Sequence, residues 1–199
     1  MRIKSQWFKG DRPKSAKENA SAMAFIIWRV AQNALKRMRA EQYDIDPGAQ
    51  YFAFMAEFAV FLAQIADRIA HQTLEGELRA GFTTAVVLRL GEIFEENERD
   101  LLGEIAGPSY KNQFITLFND RSTDYAEFGF GDEGPDFAFM RYLGNCVMHI
   151  MPKKDQSWVI DQIMAIEAPE AVATIRKGMT GIFQPGPSRP TRRSGASVE

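Results

Sequence analysis

Residues 51–66 read YFAFMAEFAVFLAQIA, sixteen positions at which only Glu57 and Gln64 interrupt the apolar run. At 100° per residue, Phe54, Phe58, Phe61, Leu62 and Ile65 fall on one stripe, continued by Tyr51 before them and Ile69 after. A second stripe carries Ala56, Ala59, Ala63, Ala66 and Ala70, with Phe52 beside it. Small residues let a neighbouring helix approach closely, so this helix is expected to pack on two sides. Sixteen residues are short for a membrane span, and a glutamate at mid-span is costly there. The helix is therefore expected to be either the centre of a bundle or the seam of a homodimer. The seam is favoured, with Ala63 at the contact.

Outward from this stretch the sequence is punctuated as helices. Ser15 and Glu18 have capping-box spacing, followed by a stripe of Met23, Ile27, Val30, Ala34 and Met38. The basic run Lys36, Arg37, Arg39 suits the negative end of that helix. Asp46-Pro47 predicts an N-cap and first helical position for the apolar helix, and Gly76 separates it from a third helix over 77–102. Tyr110, Phe114, Leu117 and Phe118 mark a fourth. Gly134-Pro135 is expected to open a fifth that stops near Met151, ahead of Pro152. Asp155 and Ala168-Pro169 would start a sixth and a seventh. No alternating strand is evident. The expectation is an all-α bundle of six to seven helices around a long central apolar helix, with no sheet.

The charge is unevenly distributed over 199 residues of net charge −2. Residues 1–17 carry six basic side chains against Asp11, a net +5, and residues 184–199 a net +2. The body between them holds 15 basic and 24 acidic residues, a net −9. This outlines a basic arm over 1–16, one helical domain over 17–183 and a tail over 184–199. The tail is rich in proline and arginine, has almost nothing apolar to bury, and is expected to be disordered. A single cysteine precludes an intrachain disulfide, and the first twenty residues show no apolar leader, so a cytoplasmic setting is expected.

Several common chemistries are excluded residue by residue. A helical di-metal centre uses Glu-x-x-His pairs, but Arg68 stands three before His71 and Cys146 three before His149. Asp67 with His71, or Cys146 with His149, share helix faces but do not complete a ligand set, and neither a metal nor a cofactor is expected. The G-x-G-x-x-G spacing of Gly129–Gly134 follows a helical stripe rather than a strand and encloses Asp132 and Glu133, which would repel a phosphate. It reads instead as a flexible turn presenting Phe128 and Phe130. The acids Glu92, Glu95, Glu96, Glu98 and Asp100 read as a solvated face. No nucleophile elbow or phosphate-loop lysine is present, so no catalytic residue is assigned. Glu57, alone in its apolar helix, needs a cation, and Arg89 beside the stripe of the third helix is the expected partner.

These observations favour a non-catalytic helical interaction protein, a homodimer or adaptor working through apolar helix faces. Phe52, Ala63, Phe128 and Phe130 are the interface candidates. The alternative is a bundle enclosing a small apolar ligand, an enzyme included, with Glu57 and Arg89 as polar anchors. Association of the basic arms with nucleic acid or an anionic membrane is disfavoured by the acidic body.

Overall fold

A computed structural model describes residues 15–183, and the readings of the arm over 1–14 and of the tail over 184–199 lie outside them. The chain forms α1 (Ala16–Ala40), α2 (Ala49–Thr73), α3 (Gly76–Leu102) and α4 (Tyr110–Ala126). A short hairpin follows, β1 (Phe130–Gly131) and β2 (Gly134–Pro135), and then α5 (Phe137–Ile150), α6 (Gln156–Gln162) and α7 (Ala168–Phe183). The fold is an all-α bundle.

Local chemistry explains most of the boundaries. The Ser15 hydroxyl accepts from the Glu18 amide while the Glu18 carboxylate accepts from the Ser15 amide, so the capping box forms and α1 begins one residue inside the expected arm. Asp46 does not cap α2. Its Oδ1 accepts from the Gly48 amide at 2.6 Å, closing a tight local turn that leaves Pro47 ahead of the helix. The fifth helix starts after Gly134-Pro135, because the Asp136 carboxylate accepts from the Phe139 amide and Asp136 takes the N-cap. The two residues assigned to that helix start instead pair antiparallel with β1, Phe130 opposite Pro135 and Gly131 opposite Gly134. Gly134 sits at φ +116°, a conformation only glycine adopts without strain. This hairpin is the one departure from a sheet-free fold among the described residues.

Ala168-Pro169 does not break the chain either. Ile163–Glu167 form a π-helical turn that runs α6 directly into α7, with the Ala168 amide donating to the Ile163 carbonyl. Pro169 has no amide hydrogen to complete an α-helical ladder, and the wider turn removes the demand for one. Glu167, fully buried in this turn, accepts from Arg37 at 2.6 and 2.9 Å. Arg37 thus ties α1 to the bend in addition to standing in the last turn of its own helix.

The position of α2 corrects the dimer-seam expectation. It contacts α1, α3, α4, α5 and α7, and these helices cover both of its stripes. Phe58, Phe61, Leu62 and Ile65 are fully buried, and on the alanine stripe Ala59 and Ala66 are too, while Ala63 retains 2% exposure. A single chain accomplishes this because α1 and α3 are as long as α2, so the shorter helices need only close the remaining sides. By length and composition α2 could cross a bilayer, yet it stands at the centre of the bundle with most of its surface covered by protein. Replacing Ala63 with glutamate is expected to cost about 3 kcal/mol or more, because a larger charged group enters a filled, dry site. Urea denaturation followed by circular dichroism reads this as a lowered midpoint; an unchanged midpoint contradicts the central placement.

Candidate functional site

Burying Glu57 in α2 costs several kcal/mol unless a cation follows it inside. That cation is Arg121 of α4 and not Arg89. Arg121 Nε donates to both carboxylate oxygens at 3.2 and 3.0 Å, and Nη2 donates to Oε1 at 2.6 Å. Its remaining Nη1 donates to the Tyr142 hydroxyl at 3.2 Å, and that hydroxyl donates to Asp124. The chain Glu57–Arg121–Tyr142–Asp124 joins α2, α4 and α5 through polar groups that satisfy one another. Arg89 lies on another face and pairs with Glu92 three residues along α3, at 2.9 Å. The two expected ligand anchors are therefore not brought together.

Arg121 was nonetheless marked in the sequence. It continues the fourth stripe, seven residues after Phe114 and four before the buried Tyr125. An arginine in register with an apolar stripe is a cation aimed at the core.

Cys146 lies against this cluster. Burial and the neighbouring Glu57 carboxylate push its thiol up to about 12, while Arg121 and Tyr142 pull the other way. A thiol held in this form is a poor nucleophile and a poor ligand. His149, three residues on, is exposed, so the pair does not share an environment. Asp67 is occupied as well: both its oxygens accept from Arg79, at 3.0 and 2.5 Å, and Oδ1 also accepts from Thr83 at 2.6 Å. His71 is exposed, with Nδ1 3.4 Å from Arg79. Among the described residues no group of three metal-ligating side chains comes together.

Phe128 and Phe130 do not form a presented turn. Phe128 packs near Tyr125, Phe139 and Tyr142, and Phe130 near Phe139, with ring centroids 5.5 to 6.4 Å apart. Arg176 of α7 donates to the Asp132 carbonyl at 2.8 Å and pins the hairpin from outside. Both rings are half-buried parts of an intramolecular aromatic cluster.

Among the described residues, two concave features stand on the outside. A groove of about 630 Å³ runs between the N-terminal half of α1 and α3, floored by Phe82 and Ala85 and flanked by Leu78 and Leu88. A hollow of about 410 Å³ opens between α2, α3 and α4, faced by Ala49, Ala53, Ala56, Leu102 and Leu117 over the buried rings of Phe52, Phe94, Tyr110 and Phe114. Glu98 lines that hollow and corrects the solvated-face reading. It is half-buried, and its carboxyl is raised to about 7 by burial first and by the nearby Glu95 carboxylate second. Of the candidate residues, Phe52 borders the hollow and Arg89 the groove. Compared with family models, curated proteins and solved structures, the chain finds no match.

Replacing Arg121 with methionine leaves Glu57 buried and uncompensated, and is expected to cost about 3 kcal/mol in denaturant unfolding. Replacing Glu57 with leucine in the same chain recovers most of that loss. A double variant no more stable than the single one contradicts a mutually satisfied pair. Cys146 is expected to react with a disulfide reagent at pH 8 far more slowly in the folded protein than in urea; equal rates contradict its burial.

Proposed function

We propose that the protein is a non-catalytic interaction protein that pairs with a second copy of itself through the α1–α3 face. The observation that carries this reading is the apolar surface that the described residues leave uncovered there. Leu78 is 61% and Leu88 42% exposed, on either side of Phe82 and Ala85 in the groove. A clustered apolar face rimmed by charge is the usual mark of an interaction surface, whereas the same residues scattered singly would carry no such meaning. On this reading the homodimer expected from the two-sided apolar helix is kept, with its seam on α3 instead of α2.

The charges on the rim favour a second copy as occupant. Glu77 and Arg89 stand on the same groove, twelve residues apart. An isologous pair brings each surface against itself reversed. With α3 crossing its counterpart antiparallel about an axis level with Thr83, Glu77 of each copy meets Arg89 of the other, and Leu78 meets Leu88. The polar networks at Glu57 and Asp67 are satisfied within the chain, which supports binding rather than catalysis as the work of this protein. A reducing, cytoplasmic setting suits the single buried thiol.

Light scattering tests the proposal. The native chain is expected at twice its monomer mass, and replacing both Leu78 and Leu88 with glutamate is expected to give a monomer of unchanged helicity. Exchanging the charges, Glu77→Arg together with Arg89→Glu, restores complementarity and keeps the dimer, while either change alone weakens it. A native monomer whose groove is filled by its own residues 1–14, detected as faster proteolysis of that segment in the Leu78 and Leu88 variant, contradicts the proposal.

A further inference from the structure

Both ends of the chain leave the described bundle beside the α1–α3 groove. Ala16 and Lys17, in the first turn of α1, line it, so residues 1–14 start at its edge. The ring of Phe183, the last residue of α7, lies 5.2 Å from that of Phe82 in the groove floor, so residues 184–199 start there too. The two segments differ in what they bring. Residues 184–199 hold Val198 as their only branched or aromatic apolar side chain, whereas residues 1–14 hold Ile3 and the adjacent pair Trp7 and Phe8. The groove asks for apolar bulk. Leu78 and Leu88 stand exposed on its flanks, and a Cβ added at Gly81 between them would meet nothing of the described residues within 4 Å. Charge contributes less to the match, because the rim carries Lys17 and Arg89 as well as Glu77 and Glu92.

We propose that residues 1–14 close over this groove, with Trp7 and Phe8 seated between Leu78 and Leu88, and regulate the dimer by competing with the second copy for one surface. The inference rests on the pairing through the α1–α3 face and adds its control. Reach permits the contact. Trp7 stands eight residues before Ser15, an extended span of up to about 27 Å, and the groove from Glu77 to Glu92 follows α3 for about 22 Å. Gly10 and Pro13, between the aromatic pair and Ser15, are residues that favour a reversal of the chain. Tethering makes a modest contact effective, because a short linker holds the two surfaces at a local concentration in the millimolar range. The dimer also needs two vacated grooves, so closure acts on it twice. With the segment closed about three times as often as open, about a quarter of the chains are competent, and the dimer dissociation constant rises about sixteenfold.

The test compares the native full chain with the full chain carrying Trp7→Ser and Phe8→Ser, by sedimentation over a dilution series. The variant dimer is expected to hold together to a concentration roughly tenfold lower, or lower still. Replacing Arg192 and Arg193 with glutamine, in the other terminal segment, is expected to leave the dissociation constant unchanged; an effect as large as that of the aromatic pair overturns the choice of occupant. The contact itself is read with a nitroxide on Ser5→Cys, a label that the buried Cys146 does not take up. It is expected to broaden the amide resonances of Gly81 and Ala85 at low protein concentration and to release them as dimers form. Competition is overturned, with the dimer left standing, if the Trp7 and Phe8 variant dissociates at the same or a higher concentration than the native chain. It is equally overturned if the label leaves those amides sharp, or broadens them more as dimers form. A native monomer beside a dimeric variant upholds the competition and contradicts pairing of the native chain. Monomers in both chains at every concentration overturn the pairing, and the competition with it.

Discussion

A helix that is apolar nearly all the way round cannot be stable in water until it is surrounded, and α2 is such a helix. Every fully buried phenylalanine along it contributes about 2 kcal/mol only when a neighbour excludes water from that side. Five helices therefore converge on α2, and the two that must run its full length, α1 and α3, are the two other long ones. The alanine stripe sets how closely they approach. The same enclosure carries Glu57 inward, and with it the need for a cation on whichever helix covers that face. Arg121, Tyr142 and Asp124 follow from that single carboxylate.

The central helix, its two stripes and most of the helix ends were legible in the sequence, because each depends on residues a few positions apart. Ser15 with Glu18 specifies one end of α1 with no help from the rest of the molecule. What was not legible depends on which elements meet. A helical wheel shows that Glu57 faces a neighbour but does not say whether α3 or α4 lies there, so Arg89 and Arg121 were equally available until the packing was known. Ala63 illustrates the same limit: its small side chain announces a close approach, and only the topology decides whether the approaching helix belongs to the same chain. At Pro169 the sequence signals a break, yet the missing amide is absorbed by a wider turn that Arg37 and Glu167 hold together.

The outer surfaces were the least legible. Glu98 belongs to a run of acids whose pattern describes a solvated face, and that pattern holds for its exposed neighbours Glu92 and Glu96. The N-terminal part of α4 folds back beside the end of α3 and half-buries one of these acids at the edge of an apolar hollow. Leu78 and Leu88 are the converse, apolar residues that the bundle leaves outside. Helix α3 thus lends one side to the core, exposes leucines along its first half, and presents a carboxyl near its end. Because Glu57, Asp67 and Glu167 are each paired with an arginine of the same chain, the functional reading rests on the outer surface.

All of this presupposes that α2 is enclosed by its own chain. Native-state hydrogen exchange, resolved by residue in the chain with Leu78 and Leu88 replaced by glutamate, so that pairing through the α1–α3 face does not contribute, and repeated over a hundredfold range of protein concentration, measures that enclosure directly. The amides from Phe54 to Ala66 are expected to be the slowest in the molecule, exchanging only through global unfolding and at a rate independent of concentration. Amides in α2 that exchange faster than those of α3, or whose protection fades on dilution, would show that a second chain is needed to cover the helix and would contradict the account.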